Sequence, residues 1–317
     1  MKRIAILAGA LALLATPAAA EDSLKLAIGQ INNWENQAPT LGQDAGFFKK
    51  HGLVLENYGT AGAGETVQAV ISGSADIGAG VGVAGVMRAY QKGAPVRIIA
   101  PAFTGTSDLY WYVKADSPIK SLKDTTEKNT IAYSTNGSSS NNIVVAFVEE
   151  LGAKAKPTST GSPPGTLTSV MSGQIDIGWA APPFGLQEIQ DGKIRIIARG
   201  SDVPSLRGQT VRVLIANANA LKARHDAIVR FMQAYREAVD WMYASPDAVQ
   251  MFSKKTGVAE NLVRDSMKQF QPKETMQTDQ MADLDGAIRD AVKLKFLDAP
   301  LTKEQLADFI QIPPRTK

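Results

Sequence analysis

The sequence predicts an α/β protein of two similar lobes, each a mostly parallel sheet flanked by helices, with a ligand cleft between them. The first observation is an internal echo, because residues 70–85 and 170–185 carry identical valine, serine, glycine, aspartate and isoleucine positions without a gap. The second is the alternation of strands and helices around each copy, which is typical of a parallel sheet. Two copies of this length do not make a solenoid and favour facing lobes.

The first copy is predicted as β-α-β-α-β. Residues 24–28 alternate apolar and polar side chains and run into a glycine, which predicts a strand. Residues 35–49 predict a helix that is closed by basic residues and a glycine. The remaining predicted elements are strands at 53–56, 75–78 and 96–102 and helices at 64–72 and 83–91.

The second copy repeats this order, and a helical tail follows it. Its predicted strands are 110–113, 130–133, 175–178 and 194–198, and its helices are 142–151, 166–172 and 184–190. After a strand at 210–216, Asp226 is the predicted N-cap of a long amphipathic helix, and Ser245 with Pro246 begins the next. If this tail packs on the first lobe, the chain crosses twice between lobes. The predicted limits are residues 21–107 with 211–317 for lobe 1, and 108–210 for lobe 2.

Residues 1–20 are predicted to be a cleaved signal peptide. Lys2 and Arg3 precede an apolar run that is too short to span a membrane, and Ala18-x-Ala20 has the form of a cleavage site. The chain has no cysteine, so neither disulfides nor a lipidated cysteine are expected. Lys2 and Arg3 supply two of the three net positive charges, so the chain without residues 1–20 carries a net charge of +1. This charge is too small to indicate a surface that binds nucleic acid. We expect a monomeric periplasmic protein.

Catalytic chemistry has few candidate residues. The only histidines are His51 and His225, both in charged segments that predict exposed helix ends. Neither has acidic or histidine neighbours at metal-ligand spacing, and no nucleophile-elbow, phosphate-loop or zinc-protease motif is present. The sequence therefore predicts no enzyme activity, no metal and no cofactor.

A serine-, asparagine- and glycine-rich run at residues 134–142 is a candidate anion site. It lies between a predicted strand and a predicted helix, where backbone N–H groups and the helix dipole favour negative charge. The candidate ligand contacts in this run are Asn136, Gly137, Ser138 and Ser139. The alternative is an ordinary loop with a serine N-cap. In lobe 1, residues 78–82, with Gly80 and Val81, are expected to form the matching strand-to-helix loop.

Further candidates follow the predicted strand ends and the crossings, because ligands of open α/β sheets bind beyond the carboxyl ends of the strands. Trp34 and Trp179 are predicted to hold the body of a ligand, with core packing as the alternative. Thr104 lies at the first crossing. Arg212 follows the second crossing and is a candidate anion partner, with an outward-facing strand arginine as the equal alternative. The recurring Asp76 and Asp176 are assigned to turns or caps and not to ligand contact.

Residues 43–56, QDAGFFKKHGLVLE, resemble the G-[YF]-F-K-K-x-G-L-x-V-E signature of nitrate/sulfonate/taurine-type periplasmic solute-binding proteins of ABC importers. Similar features are the S-G-x-x-D-I-G element with the following residues 93–96, the loop at 134–140, and Pro182-Pro183-Phe184 after Asp176. The resemblance implies a type II periplasmic binding protein that closes on one small molecule and docks on a permease. Many relatives have an acid before the first proline, where this chain has Ala181. The related thiamine-pyrimidine enzymes carry a cysteine-rich motif that is missing here.

The function predicted from these features is capture of a small organic anion, such as a sulfonate or carboxylate, for an ABC permease in the inner membrane. An extracytoplasmic sensing module for a membrane receptor uses the same two-lobe closure. The sequence leaves both interpretations open.

Overall fold

The computed structural model describes residues 21–315, and the predicted signal peptide lies outside these described residues. The strands are β1 (Asp22–Gly29), β2 (Leu53–Thr60), β3 (Ile77–Gly82), β4 (Val96–Thr104), β5 (Tyr110–Lys114), β6 (Thr130–Tyr133), β7 (Lys156–Ser159), β8 (Gly178–Ala180), β9 (Ile194–Arg199) and β10 (Thr210–Asn217). The helices are α1 (Ala38–Asp44), α2 (Phe47–Lys50), α3 (Ala63–Ile71), α4 (Val83–Gln91), α5 (Ser139–Leu151), α6 (Pro163–Met171), α7 (Leu186–Gln190), α8 (Ala218–Ala223), α9 (His225–Ala244), α10 (Pro246–Thr256), α11 (Glu260–Phe270), α12 (Leu284–Lys293) and α13 (Lys303–Phe309). Among residues 21–315, no helix is both long and apolar enough to cross a membrane.

The first sheet has five strands in the order β2-β1-β3-β10-β4. β1 is parallel to β2 and β3, whereas β10 is antiparallel to both of its neighbours. Successive side chains of β1 enter two different cores, because strand side chains alternate between the faces of a sheet. Leu24, Leu26 and Ile28 pack with α9, and Ala27 packs with α3 and α4. Helices therefore cover both faces of this sheet.

The second sheet repeats the topology of the first. The strands β8-β5-β9 form one ladder and β6-β7 another, and a parallel bridge between Ile131 and Ile177 joins the two. The combined order is β7-β6-β8-β5-β9, with β5 antiparallel to its neighbours as β10 is in the first sheet. The predicted fold class, two mostly parallel α/β lobes, is confirmed.

Two chain crossings connect the lobes. The chain leaves the first sheet after β4 and enters the second at β5, then returns after β9 to form β10. The crossings are bonded to each other, because the Gly105 N–H donates to the Gln209 carbonyl at 2.7 Å. The hydroxyls of Thr104 and Thr210 lie 3.4 Å apart at the same place. The hinge between the lobes is thus a hydrogen-bonded pair of strand ends.

The helical tail packs mainly on the first lobe. The apolar face predicted for α9 is buried along its whole length, from Ile228 to Met242. Phe270 at the end of α11 belongs instead to the core of the second lobe. The guanidinium of Arg199 lies 4.4 Å from its ring centroid. The tail therefore contacts both lobes.

Three local predictions were wrong. The helix predicted at 35–49 is divided, because Pro39 fits only the first turn of α1 and Gly46 adopts a φ of 86° between α1 and α2. Asp226 does not cap α9, which begins at His225 after Arg224, and its carboxylate instead pairs with Arg230 at 2.9 Å.

Residues 78–82 are not a loop, which is the third correction. They belong to β3, which passes directly into α4. Val213 of β10 pairs with Val81, and Ile215 pairs with Gly78. Two residues of β3, Ala79 and Gly80, therefore lie opposite one residue of β10, Leu214. Gly80 takes up this bulge with a φ of 73°. Gly80 therefore belongs to the strand, and its N–H is not one of the N–H groups at the start of a helix.

Asp76 and Asp176 have the structural role that the sequence predicts. The carboxylate of Asp76 accepts the N–H of Lys25 at 2.9 Å in β1. The carboxylate of Asp176 accepts the N–H of Thr130 at 2.8 Å in β6. In both lobes the repeated aspartate thus accepts a backbone N–H near the start of the neighbouring strand and holds that strand in place, which explains why the aspartate recurs.

Candidate functional site

A narrow cavity lies between the two lobes, beside the carboxyl ends of the central strands. Asn33, Glu35 and Gly80 line it from the first lobe, and Ser139 and Trp179 line it from the second. The space open to the centre of a water molecule is about 30 Å³. This is room for only one or two waters. The lobes are therefore drawn together over the cleft, which has no room for an organic solute in this arrangement.

Arg212 projects from β10 into this cavity and is 5% exposed. Its guanidinium donates to the carboxylate of Asp108 in a buried ion pair and to the hydroxyl of Ser139 at 3.1 Å. It also lies 4.6 Å from the ring centroid of Phe103. Among residues 21–315, no hydrogen-bond partner exists for its Nε–H. Arg212 thus links the hinge to the second lobe and keeps one donor free.

Glu35 is the second charged group of the cavity and is 4% exposed. It lies in a single 3-10 turn, Trp34–Asn36. Burial and the nearby carboxylate of Asp108 raise the pKa of Glu35 to about 7, and Arg212 opposes this effect. Burial likewise raises the pKa of Asp108, although Arg212 acts in the opposite direction. Two carboxyl groups, those of Glu35 and Asp108, thus lie near the guanidinium of Arg212, and the pKa of each is raised.

The second lobe contributes hydrogen-bond donors. Ser138 caps α5 by accepting the N–H of Asn141 at 3.1 Å, as the alternative interpretation of this loop predicts. Ser138, Ser139 and Ser140 at the start of this 13-residue helix line the cavity, so the positive end of the helix dipole lies beside it. Trp179 at the end of β8 is 2% exposed, and its indole N–H has no partner within the described residues. A ligand acceptor that reached this N–H would remove the cost of a buried donor without a partner.

The structure brings together five of the ten predicted ligand contacts at this cavity and places the other five elsewhere. The five at the cavity are Gly80, Ser138, Ser139, Trp179 and Arg212. Trp34 is fully buried in the core of the first lobe, edge-to-face with Tyr243 and Phe252. Val81 pairs with Val213 inside the first sheet, and Thr104 belongs to the hinge.

Asn136 and Gly137 lie on the outer side of the closed cleft. The side-chain oxygen of Asn136 accepts the hydroxyl of Tyr133 at 2.6 Å. The carbonyl of Gly137 accepts the N–H of Gly85 at 3.2 Å, which is a direct backbone contact between the lobes. Both residues line a groove with α3 and α4 and are separated from the cavity. Their position indicates a role in closure.

Sequence reasoning did not identify Glu35, Asp108 and Gln271 as members of the site. Glu35 follows Trp34, the predicted ligand contact, and no periodicity shows which of two neighbours in a 3-10 turn faces the cleft. Asp108 lies in the first crossing, and no basic residue close to it in the sequence marks it as one half of an ion pair. Gln271 comes from the distant end of α11, and only the fold reveals its contact with Glu35 at 3.1 Å.

A larger cavity of about 520 Å³ lies near the ends of α9 and α11. Met242, Val249 and Met267 form its apolar wall, and Arg264 and Lys268 stand at its edge. All of these residues belong to the helical tail, so occupation of this cavity does not draw the two sheets together. We therefore place the candidate site in the smaller cavity that both lobes share.

The two histidines lie outside the cleft. His51 is half-buried and its Nε2 lies 2.9 Å from the carboxylate of Glu237, so its predicted exposure was wrong. His225 is exposed at the first residue of α9, as predicted. No group of three or more metal-ligating side chains exists in the part of the chain that the structure describes.

Two lobes of equal topology around a shared cleft are the arrangement of the periplasmic binding protein fold. The alkanesulfonate-binding protein SsuA of Xanthomonas axonopodis pv. citri, solved with MOPS, has a TM-score of 0.75 at 14% identity, covering 93% of this chain and 100% of that one. The nitrate-binding protein NrtA of Synechocystis PCC 6803 has a TM-score of 0.68 at 14% identity, covering 91% and 85%. At these identities the likeness is one of fold.

The sulfonate-binding SsuA of Escherichia coli is also similar, with a TM-score of 0.68 at 15% identity and coverage of 93% and 94%. No curated protein matches the chain in sequence. The family model described as NMT1/THI5 like matches residues 36–249. The chain belongs to this family, and the resemblance to periplasmic solute-binding proteins is confirmed.

Proposed function

We propose that this chain is the substrate-binding component of an ABC importer. It captures a small organic anion, a sulfonate or a carboxylate that can be aromatic, and delivers it to a permease in the inner membrane. In this proposal it is exported by cleavage of residues 1–20 and acts as a periplasmic monomer without enzymatic activity. The predicted lobe limits, 21–107 with 211–317 and 108–210, are part of the proposal.

The observation that carries this proposal is the set of donors that meet in the shared cavity. Arg212 at the hinge, the start of α5 and Trp179, whose indole N–H has no partner among the described residues, all line a space between the lobes. An anion there accepts hydrogen bonds from both lobes only when they are closed. Since a ligand shifts the equilibrium only through contacts that differ between states, this arrangement couples binding to closure.

Fluorescence-monitored binding to alkanesulfonates, aromatic carboxylates and nitrate tests the anion class. Trp179→Phe removes the free indole N–H while keeping an aromatic ring, and no described protein hydrogen bond is lost. We expect affinity for the best anion to fall about 10- to 100-fold, the value of one hydrogen bond to a charged group.

Trp34→Phe is the matched control, because Trp34 is equally buried but lies in the core of the first lobe. It is expected to leave the affinity unchanged. Equal losses in both variants contradict the assignment of the cavity, and the absence of stabilisation by any anion contradicts the anion class.

A further inference from the structure

The cavity in the helical tail is much larger than the cavity between the lobes. It lies where the end of α9, the start of α10 and the second half of α11 meet, and its volume is about 520 Å³. Sites for small molecules in proteins have volumes of roughly 300–1,000 Å³. The cavity between the lobes measures only about 30 Å³. The tail cavity therefore has room for an organic molecule in the arrangement that the lobes have here.

The wall of the tail cavity is apolar and already in place. Met242 of α9 and Val249 of α10 line it and are 1% and 2% exposed, because both belong to the core of the first lobe. Met267 of α11 is half-buried and packs against the same core. The hydroxyl of Tyr243 donates to the Gln271 carbonyl at 2.8 Å, which fixes the ring beside the cavity. An apolar molecule that enters is removed from water against a surface that needs no rearrangement.

The charged side chains among the described residues that line the tail cavity are all basic. They are Arg264 and Lys268 of α11 and Lys273 beyond it. Arg264 pairs with Glu260 at 3.1 Å, and Lys273 pairs with Asp240 at 2.6 Å. Lys268 has no ion-pair partner within residues 21–315. The cavity is thus complementary to a molecule that has an apolar body and a negative group.

The tail cavity is separate from the cleft. No described residue lines both cavities, and all the residues that line the larger one lie between positions 242 and 273. A ligand of the cleft contacts both lobes, whereas an occupant of the tail cavity contacts the tail alone. Binding in the tail cavity therefore does not require closure of the lobes.

We propose that the tail cavity is a second ligand site, which binds an amphipathic anion with an aliphatic or aromatic body and one carboxylate or sulfonate group. The body packs on Met242, Val249 and Met267, and the anionic group lies beside Lys268 at the edge. The open and the closed protein bind this molecule alike. The chain therefore holds two ligands at once, one in the cleft and one in the tail.

Methionine methyl groups report on this site directly, because Met242 and Met267 line the cavity. The experiment is NMR of the chain without residues 1–20, labelled with ¹³C in the methionine methyl groups and titrated with octanoate. Met242→Leu and Met267→Leu assign the two signals. Both signals are expected to shift saturably, whereas the signal of Met171, which is exposed on α6 of the second lobe, stays unchanged.

Two changes of the probe test the two parts of the site. Octylammonium has the same body with the opposite charge, and it is expected to bind at least about tenfold more weakly than octanoate. Butanoate has the same charge on a shorter chain, and it is also expected to bind at least about tenfold more weakly, because less apolar surface leaves water.

Variants of the chain separate this site from the cleft. Lys268→Glu reverses the charge of the unpaired cation and is expected to weaken octanoate binding about 3- to 10-fold. Lys254→Glu is the matched control, because Lys254 is an exposed lysine of α10 that does not line the cavity. It is expected to leave the affinity unchanged. Trp179→Phe alters the cleft and is also expected to leave the octanoate shifts of Met242 and Met267 unchanged.

Three results would overturn the inference. Equal binding of octanoate and octylammonium, or an equal shift at Met171, would show unspecific contact with apolar surface. Loss of the octanoate shifts in Trp179→Phe would place octanoate in the cleft. A dimer in sedimentation that shifts the Met242 and Met267 signals without octanoate would show that a second copy of the chain occupies the cavity. In each case the proposed function of the cleft stands.

Discussion

Replacing Glu35 by glutamine is expected to change how the stability of the empty protein depends on pH. Glutamine keeps the size of the side chain but cannot ionise in the buried cleft. In the native protein, burial and Asp108 raise the pKa of Glu35 from its ordinary 4.5 to about 7. The folded state therefore binds this proton more tightly than the unfolded state does.

The sign and size of the effect follow from this difference. The protonated carboxyl stabilises the fold fully below pH 4.5, and the contribution is lost as the pH rises through about 7. The two pKa values correspond to about 3 kcal/mol. For a chain of this length, that free energy corresponds to a melting-temperature change of about 5 °C. Relative to Glu35→Gln, the native protein should thus lose about 5 °C between pH 4.5 and pH 8.

Differential scanning calorimetry from pH 4 to pH 8.5 measures this change without any ligand. Only the pH dependence of the difference in melting temperature matters. The glutamine amide faces Asn33 or Gln271 and shifts the melting temperature of the variant by an amount that does not change with pH. Glu127→Gln removes an exposed carboxylate and should follow the native curve. A difference between native protein and Glu35→Gln that stays constant across this range would refute the reasoning, since it would mean that burial does not perturb Glu35.

Three further predictions concern the hinge, the closure and the helix start. Arg212→Met leaves the buried Asp108 without its partner and should lower stability by about 3–5 kcal/mol, measured by thermal denaturation; an unchanged melting temperature contradicts the buried ion pair. Gly85→Ala places a Cβ 2.6 Å from the Gly137 carbonyl, so it should hold the lobes apart and weaken ligand binding at least about tenfold with an increased radius of gyration in X-ray scattering. An unchanged scattering profile and affinity would show that this contact does not govern closure. Ser138→Ala removes the N-cap of α5 and should cost about 1 kcal/mol, whereas no loss in denaturant titrations would contradict the cap.

The local patterns predicted the elements well where one physical rule dominated. The apolar face of α9, the cap at Ser245 and the strand-fixing role of Asp76 all depend on neighbours in sequence or on simple periodicity. Predictions failed where two rules competed. Residues 78–82 are glycine-rich enough for a loop, but pairing with β10 draws them into the sheet and a single bulge absorbs the excess residue.

The candidate site divides in the same way. Ser138 and Ser139 lie at a helix start and Trp179 at a strand end, so the chain direction alone brings them to the cleft. Trp34 and Glu35 are neighbours in one 3-10 turn, and the packing of Tyr243 and Phe252 decides which of the two is buried in the core. No pattern in the sequence distinguishes them.

The sequence by itself determined the two-lobe α/β class, because the repeated elements and their flanking strands and helices are local and recur at a fixed separation. Only the tertiary structure decided the chemistry of the cleft. Glu35 and Gln271 meet across 236 positions, and Asp108 and Arg212 across 104. The charge balance of a buried cavity depends on the distances between charged groups and on how far each is removed from water. Neither quantity can be read from local sequence patterns when the residues are far apart along the chain.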